Sequence, residues 1–345
     1  MALAAAAPRP IATAATAGGI GPLLEVRNLR VEFPTRRGTL VALNDVSFSI
    51  APGEILGVVG ESGAGKSMTG AAIIGLLEPP GRIAAGQVLL EGRRIDNLGR
   101  DEMRRVRGRK IGAIFQDPLT TLNPLYTVGE QLVETIQTHL GLSGGEARTR
   151  AVEWLRMVGI PAAEQRIGSY PHEFSGGMRQ RVVIALALCA EPRLVVADEP
   201  TTALDVSIQA QVIALLKRLA REKNTSMMLV THDMGVIAET ADRVAVMYAG
   251  RIVEIGPVRE VVKHPKHPYS VGLMASIPPL DHRVERLAQI DGAMPRLNAI
   301  PPGCPFNPRC PKVFDRCVRE RPDLLDAGAT RAACWLYAPG EPPHA

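Results

Sequence analysis

A phosphate-binding loop near the amino end is the feature that most constrains the fold of this chain. Residues 60–67 read GESGAGKS and fit the pattern G-x-x-x-x-G-K-[ST]. The apolar run Ile55–Val59 precedes the loop, and a stretch containing Ala and Ile with helical character follows it. A strand, a glycine loop and a helix in this order point backbone N–H groups and the positive end of the helix at one anion. This context predicts a nucleotide-binding α/β domain rather than a flexible glycine turn.

The side chains in and beyond this loop predict hydrolysis of the bound nucleotide. Lys66 adds a positive charge for the β and γ phosphates, and the Ser67 hydroxyl can complete an octahedral Mg²⁺ shell. A second apolar run, Leu194–Ala197, leads directly into Asp198 and Glu199. Asp198 suits the Mg²⁺ shell through water, and Glu199 can orient and deprotonate a water in line with the γ phosphate. The alternative for the acidic pair alone is an ordinary strand end.

Apolar patterning along the chain predicts the fold class. Residues 24–33 and 39–50 alternate apolar and polar side chains, which predicts half-buried antiparallel strands. The continuous apolar runs 55–59, 194–197 and 227–230 predict strands buried on both faces, with helical spacing between them. Residues 130–190 hold no convincing strand and are interpreted as a helical insertion. The pattern predicts an α/β P-loop domain with a mainly parallel sheet, an antiparallel β-subdomain and a helical subdomain.

Composition divides the chain into three parts. Residues 1–22 are rich in Ala, Gly and Pro and are interpreted as a disordered leader. Residues 23–264 form the predicted ATPase domain, with the helical subdomain at about 120–190. From residue 265 to 345, Pro, Cys and Arg accumulate and hydrophobic periodicity fades, which predicts a small Cys-rich carboxyl-terminal domain.

Charge and hydropathy exclude two classes of protein. The 345 residues are 46% hydrophobic, but charged residues or prolines interrupt each apolar stretch. A membrane span needs roughly 20 consecutive apolar residues, so none is expected. The only basic residue before Arg27 is Arg9, which follows the apolar run, whereas a secretory signal places its charge first. A cytoplasmic chain is therefore predicted, and its net charge of +5 is mild for a nucleic-acid binder.

A serine–glycine–glycine motif narrows the choice among nucleotide-binding families. Residues 174–181 read FSGGMRQR and precede a helix that leads to the Asp198 strand. This motif resembles the LSGGQ signature of the ATP-binding subunits of ABC transporters, with Phe174 and Met178 in place of the usual Leu and Gln. The resemblance implies that Ser175 and the two following glycines contact the γ phosphate held by a partner chain, so a dimer is implied.

The remaining elements of that family match one by one. The resemblance assigns Gln116 to Mg²⁺ contact and coupling, Asp205 to the dimer seam, His232 to the γ phosphate and attacking water, and Phe33 to adenine stacking. The predicted catalytic residues are Glu199 and His232, and the predicted Mg²⁺ ligands are Ser67, Gln116 and Asp198. The residues predicted to bind nucleotide are Phe33, Gly60, Glu61, Ser62, Gly63, Ala64, Gly65, Lys66, Ser67, Met68, Gln116, Asp198, Ser175, Gly176, Gly177 and Asp205.

The segment after the ATPase domain indicates a particular subfamily of these ATP-binding subunits. Residues 264–278 read HPKHPYSVGLMASIP and resemble the His-Pro-Tyr segment of oligopeptide and dipeptide importer subunits. An ordinary proline-rich linker is the alternative. The resemblance implies an ATP-hydrolysing translocase subunit that powers peptide import. Import of another small solute, such as nickel, glutathione or an opine, or service to an exporter, remains the alternative.

Four of the five cysteines cluster in the tail, as Cys304, Cys310, Cys317 and Cys334. In a reducing cytoplasm such a cluster suggests metal more than disulfides. The short C-x₂₋₄-C steps of structural zinc sites are absent. Similar tails in peptide-importer ATPases can hold a [4Fe–4S] cluster, so the cluster is the first interpretation, zinc the second and free thiols the third. Cys189 lies in a helical stretch and is interpreted as a core residue.

The resemblance implies a peripheral protein at the cytoplasmic face of the cell membrane. Its implied partners are a second ATPase chain, identical or paralogous, two transmembrane permeases and an extracytoplasmic peptide-binding protein. A soluble ABC ATPase acting on DNA or ribosomes is a rival, but one signature and no sustained heptads argue against it. A P-loop GTPase is disfavoured because the guanine motif N-K-x-D is missing.

Overall fold

The computed structural model describes residues 21–202, 204–277 and 289–340. The predicted leader therefore lies outside the described residues, apart from residues 21 and 22. The strands in chain order are β1 (Leu24–Thr35), β2 (Gly38–Ile50), β3 (Ile55–Val59), β4 (Arg82–Leu90), β5 (Arg93–Arg94), β6 (Ile111–Ile114), β7 (Leu194–Asp198), β8 (Ser226–Val230), β9 (Arg243–Tyr248), β10 (Arg251–Pro257), β11 (Leu325–Ala327) and β12 (Thr330–Ala332).

Helices fill the intervals between these strands. In chain order they are α1 (Lys66–Ile73), α2 (Arg100–Val106), α3 (Pro118–Thr121), α4 (Val128–Leu140), α5 (Gly144–Met157), α6 (Ala163–Arg166), α7 (Gly176–Leu188), α8 (Val206–Glu222), α9 (Met234–Thr240), α10 (Val258–Lys263), α11 (Pro268–Ala275) and α12 (Asp315–Arg319). Short 3₁₀ turns cover Pro171–Glu173, Asn307–Arg309 and Trp335–Tyr337. None of the helices in the described ranges is long and apolar enough to cross a bilayer.

The amino-terminal sheet is antiparallel, as the alternating pattern predicts. Its strand order is β2-β1-β4-β5, and β1 pairs antiparallel with both β2 and β4. Arg36 and Arg37 form the turn between β1 and β2. The alternation arises because one face of the sheet packs on the core, whereas the other face is open to solvent.

The second sheet carries the nucleotide loop and has the order β11-β12-β10-β9-β3-β8-β7-β6. Its strands β9, β3, β8, β7 and β6 are parallel, whereas β10, β11 and β12 pair antiparallel. Alternate side chains of β3 enter two different cores: Ile55 and Val59 face one, and Leu56 and Val58 face the other. Burial on both faces explains the unbroken apolar runs, since each such side chain gains roughly 1.5–3 kcal/mol on burial.

Two features bear on the predicted division of the chain. From Pro118 to Leu188 the described elements are helices and one 3₁₀ turn, as the missing strand pattern indicated. The predicted boundary near residue 264 falls between α10 and α11. Beyond it, β12 pairs with β10, and Tyr269 and Phe306 are buried in the same core as Ile55. The carboxyl-terminal segment is thus packed onto the nucleotide-binding sheet, and its status as a domain of its own stays a prediction.

Candidate functional site

The phosphate-binding loop leaves β3 at Val59 and enters α1 at Lys66. Its backbone requires glycine at both ends. Gly65, which precedes the first helical residue, has a φ of 103°. Gly60 has a φ of 150°, and a Cβ there would collide with the carbonyl oxygen of Met247 on β9. Side chains at these two positions would strain the backbone, so the glycines are structural requirements of a loop that can wrap an anion.

Lys66 lies inside this loop and is 6% exposed. Its Nζ donates hydrogen bonds to the carbonyl oxygens of Gly60 and Glu61, at 2.8 and 3.1 Å. Burial lowers the pKa of Lys66, and the carboxylates of Glu199, Asp198 and Glu61 partly oppose that shift. A buried ammonium group held at the mouth of the loop is suited to receive phosphate oxygens, because it has little water to lose on binding.

Ser67 and Asp198 meet at the carboxyl edge of the parallel sheet. The Ser67 Oγ donates to the Asp198 Oδ1 over 2.9 Å. Burial raises the pKa of Asp198; the Ser67 hydrogen bond and Lys66 act in the opposite direction, and the Glu199 charge adds to the rise. A cation at this corner would relieve the cost of burying that carboxylate. The hydroxyl and carboxylate oxygens fit Mg²⁺, which prefers oxygen ligands.

Three side chains surround Glu199, and two of them come from distant parts of the chain. Its Oε2 accepts hydrogen bonds from Thr202 Oγ1 at 2.8 Å and from Gln116 Nε2 at 3.4 Å. The Nδ1 of His232 lies 3.4 Å from its Oε1, and the imidazole is 69% exposed. Glu199 also has a φ of 44°, which is unusual for a residue with a side chain. The fold thus assembles the sequence-predicted Glu199, Gln116 and His232, together with Thr202, which the sequence analysis did not identify.

Ser175 and Asp205 lie at the starts of two neighbouring helices. The Ser175 Oγ accepts from the Met178 N–H that follows the start of α7, and the Asp205 Oδ1 accepts from the Ile208 N–H of α8. A Cβ built on Gly177 would meet the Ile208 side chain, so the two helix starts are in contact. Within the described part of the chain, neither Ser175 nor Asp205 bonds to the Lys66 loop. The described geometry therefore presents them as helix caps outside the cluster around Lys66.

Phe33 lies at the end of β1, where it pairs with Leu40 of β2. It lines one pocket together with Ser67, Met68 and Asp198. The ring is partly buried and contacts the backbone region of Gly81. The fold thus brings the predicted aromatic residue to the same pocket as the predicted Mg²⁺ corner.

The carboxyl-terminal segment contacts the phosphate-binding loop directly, which the sequence analysis did not foresee. The Tyr269 hydroxyl accepts a hydrogen bond from the Glu61 N–H at 2.9 Å. The Arg309 Nη1 donates to both carboxylate oxygens of Glu61, at 3.1 and 3.2 Å. Tyr269 is part of the His-Pro-Tyr motif noted in the sequence analysis, but no local sequence pattern connects residue 269 or 309 with residue 61.

The four tail cysteines line one pocket. The residues around it include Cys304, Cys310, Cys317, Cys334 and His267. All five cysteines of the chain are free of disulfides, and Cys189 is buried elsewhere, in the core. Burial raises the pKa of Cys304 to about 11 and that of Cys334 to about 12. Among the described residues, no three His, Cys, Asp or Glu side chains form a group that could hold one metal ion.

Comparison with known families agrees with the motifs. Residues 43–202 match the family model described as ABC transporter. Residues 253–317 match the one described as oligopeptide/dipeptide transporter, C-terminal region. The two matches cover the nucleotide loop, the signature motif and three of the four tail cysteines.

Curated relatives and solved structures extend these matches over most of the chain. The oligopeptide transport ATP-binding protein OppD of Haemophilus influenzae is 48% identical, over 92% of this chain and 98% of its own length. The dipeptide transport ATP-binding protein DppD of Bacillus subtilis is 48% identical, over 91% and 94%. A solved dimeric ATP-binding cassette in a post-hydrolysis state, bound to ADP and Pi, is 31% identical with a TM-score of 0.62, over 68% of this chain and 99% of that one.

Proposed function

This chain belongs to the oligopeptide/dipeptide transport ATP-binding proteins of the ABC transporter family, and on that premise we propose that it hydrolyses ATP to power the import of di- or oligopeptides. ATP hydrolysis follows from the family itself. The peptide cargo is supported by the names of its relatives, which are oligopeptide transport, dipeptide transport and putative peptide import proteins at 46–50% identity. Those names favour peptide import over the alternatives of another small solute or export.

The single observation that carries the chemistry is the assembly around Glu199 and Ser67. Ser67 and Asp198 present oxygens to Mg²⁺, which when bound would neutralise charge on the phosphates. Glu199 is the proposed general base, because it stands one residue beyond Asp198 and is only 18% exposed. His232, 3.4 Å away, is proposed to orient the attacking water and to contact the γ phosphate. Lys66 supplies the charge that holds the β and γ phosphates.

The complete site is proposed to need two chains. Ser175 caps α7 and forms no hydrogen bond with its own Lys66 loop within the described ranges. Its hydroxyl can still donate its proton, and the first N–H groups of α7 have no partner within the helix, so both are proposed to bind a partner's γ phosphate. Two ATPase chains, identical or paralogous, would close head to tail around two nucleotides, with Asp205 at the seam. Closure is favoured because ATP binds the closed pair better than the open one.

Gln116 is the proposed link to the membrane. Its side chain reaches Glu199, while the neighbouring Phe115 is 43% exposed at the surface. We propose that two permeases contact this surface at the cytoplasmic face and that an extracytoplasmic protein delivers the peptide. Transported peptide then never touches this chain.

Reconstitution tests the cargo. The chain is copurified with its permeases and second ATPase, placed in liposomes, and supplied with binding protein, labelled peptide and internal ATP. Uptake is expected with wild type and is expected to fall to background with Lys66→Ala, because the loop loses its phosphate charge. ATP-driven uptake of a non-peptide solute in place of peptide would contradict the assignment, and so would peptide uptake that is unchanged by Lys66→Ala.

The four-cysteine pocket is proposed to hold a [4Fe–4S] cluster, with zinc as the alternative. A four-iron cluster takes one thiolate per iron, so its ligands surround a volume rather than converge on a point. Cys304, Cys310, Cys317 and Cys334 are among the residues that line one pocket, which supports this proposal. Because the pKa values of Cys304 and Cys334 are raised to about 11 and about 12, these thiols are protonated at pH 7 and loading must release protons. Affinity for the metal is therefore expected to fall as the pH is lowered.

Metal analysis with matched variants tests this pocket. Anaerobically purified wild type is expected to contain about four irons per chain and to absorb visible light. Cys304→Ser and Cys334→Ser are expected to lose most of that iron, because each removes one thiolate ligand. Cys189→Ser is the control, since Cys189 is buried in the core away from the pocket. Stoichiometric zinc would select the alternative, and iron retained in both pocket variants would refute the site.

A further inference from the structure

Tyr269 anchors the first turn of the phosphate-binding loop. The side chain is fully buried, and its hydroxyl accepts the Glu61 N–H at 2.9 Å. Its own backbone N–H donates to the Nδ1 of His267, which is also buried. Its ring packs against those of Tyr248 and Phe306, with centroids 4.7 and 5.5 Å away. This tyrosine is therefore fixed by its surroundings and can hold the Glu61 backbone in one place.

Arg309 holds the side chain of the same residue. The Arg309 side chain is 7% exposed, and its guanidinium forms an ion pair with the carboxylate of Glu61, whose side chain is 30% exposed. Its Nε and Nη2 donate to the carbonyl oxygens of Asp291 and Ile290, and the Nη1 that contacts Glu61 also donates to the Tyr248 hydroxyl. With all these partners in place, the charge is aimed at Glu61 and has little freedom to move elsewhere.

Glu61 is an unfavourable residue for a loop that binds a triphosphate. Its carboxylate lies in the same eight-residue loop as Lys66, and ATP brings several further negative charges to that loop. A guanidinium directly on the carboxylate cancels most of this repulsion at close range. The carboxyl-terminal segment has a third contact with the loop at Gly63. The methyl group of Met294 lies 3.0 Å from the position that a Cβ at Gly63 would occupy.

We propose that Tyr269 and Arg309 are positioning residues for ATP binding: the carboxyl-terminal segment clamps the Glu61 end of the loop and neutralises its charge. This inference rests on nucleotide binding at the Lys66 loop, which is tested separately through Lys66→Ala. It does not depend on the peptide cargo or on the occupancy of the cysteine pocket. It gives the His-Pro-Tyr segment a role at the nucleotide site.

Removal of the charge tests the clamp. In the full-length chain, Arg309→Met is expected to raise the Kd and KM for ATP about tenfold, while kcat at saturating ATP stays within about threefold. KM is expected to change more than kcat because the proposed catalytic residues Glu199 and His232 are unchanged. The loss of affinity is expected to shrink as the salt concentration is raised from about 50 mM to about 500 mM. Salt screens the repulsion between the Glu61 carboxylate and the ATP phosphates. Arg319→Met is the matched control, because Arg319 pairs with the exposed Asp315 in the same segment.

A double variant separates the charge from general packing. In a Glu61→Gln background, Arg309→Met is expected to raise the Kd for ATP less than about threefold, because no carboxylate remains to be neutralised. An equal loss in both backgrounds would overturn the charge role, and so would wild-type affinity in Arg309→Met. If Arg309→Met fails to fold by circular dichroism, Arg309→Gln carries the same comparison, because it also removes the charge but keeps a polar side chain that can donate hydrogen bonds.

Substitution of Tyr269 tests the clamp independently of the Arg309 charge. Tyr269→Phe keeps the ring and removes only the hydroxyl that accepts the Glu61 N–H, so the Kd for ATP is expected to rise about three- to tenfold. Tyr337→Phe is its control, because that hydroxyl bonds the Lys266 carbonyl, away from the loop. Equal ATP affinities for Tyr269→Phe and Tyr337→Phe would remove Tyr269 from the clamp. Failure of wild type itself to bind ATP would instead refute the nucleotide site.

Discussion

Glu199→Gln is expected to lower steady ATP turnover by about 10²-fold or more while ATP binding is retained. The amide preserves the shape of the side chain and can still contact Thr202, Gln116 and His232 around it. It cannot accept a proton from the attacking water, which is the proposed role of the carboxylate. In the proposed pair of chains, the variant is also expected to accumulate as an ATP-bound dimer, because hydrolysis reopens the pair.

Phosphate release and nucleotide binding measured on the same preparation check this result. Glu191→Gln is the matched control, because Glu191 lies just before β7 and pairs with Arg150 and Lys223 at the surface. Its turnover is expected to match wild type, since exposed ion pairs contribute little. Wild-type phosphate release from Glu199→Gln would contradict the assignment of the base.

Ser175→Arg is expected to reduce ATP turnover of the assembled pair by at least about 10²-fold. A large cation at the start of α7 removes the hydroxyl and fills the space proposed for the partner's γ phosphate. An isolated chain is expected to bind ATP with wild-type affinity, because the Ser175 hydroxyl bonds the start of α7 and not its own Lys66 loop within the described residues. The variant should therefore lose ATP turnover by the assembled pair and keep ATP binding by the single chain.

Ser143→Arg separates this effect from the loss of a helix cap. Ser143 also caps a helix, α5, and accepts the Glu146 N–H, so its replacement costs about 1 kcal/mol of stability. Its turnover is expected to remain near wild type at a temperature where the protein is folded. Unchanged turnover in Ser175→Arg, or a loss of ATP binding by the single chain, would refute the shared site.

Local patterns predicted the P-loop ATPase fold of this chain correctly. Strands buried on both faces must be continuously apolar, which made residues 55–59, 194–197 and 227–230 recognisable. The loop at residues 60–67 was recognisable because phosphate binding requires glycines and a lysine at set spacing. Parallel strands end at a common edge, so Ser67 and Asp198 could be expected to meet.

Contacts between distant parts of the chain were not predictable in this way. Thr202 and Arg309 lie in no motif that the sequence analysis used, and the His-Pro-Tyr motif does not indicate the partner of Tyr269. The packing of the loops and the tail determines the partners of all three residues. Short strands such as β11 and β12 also escaped prediction, because three residues carry too little periodicity to be seen.

The amino-acid order alone was enough to specify a P-loop ATPase, because backbone geometry and phosphate chemistry act over a few adjacent residues. Folding was required to bring Arg309 onto Glu61 across 248 positions of sequence and to place four cysteines around one pocket. These long-range contacts depend on the burial of apolar side chains throughout the core, and no short segment of the sequence contains that information.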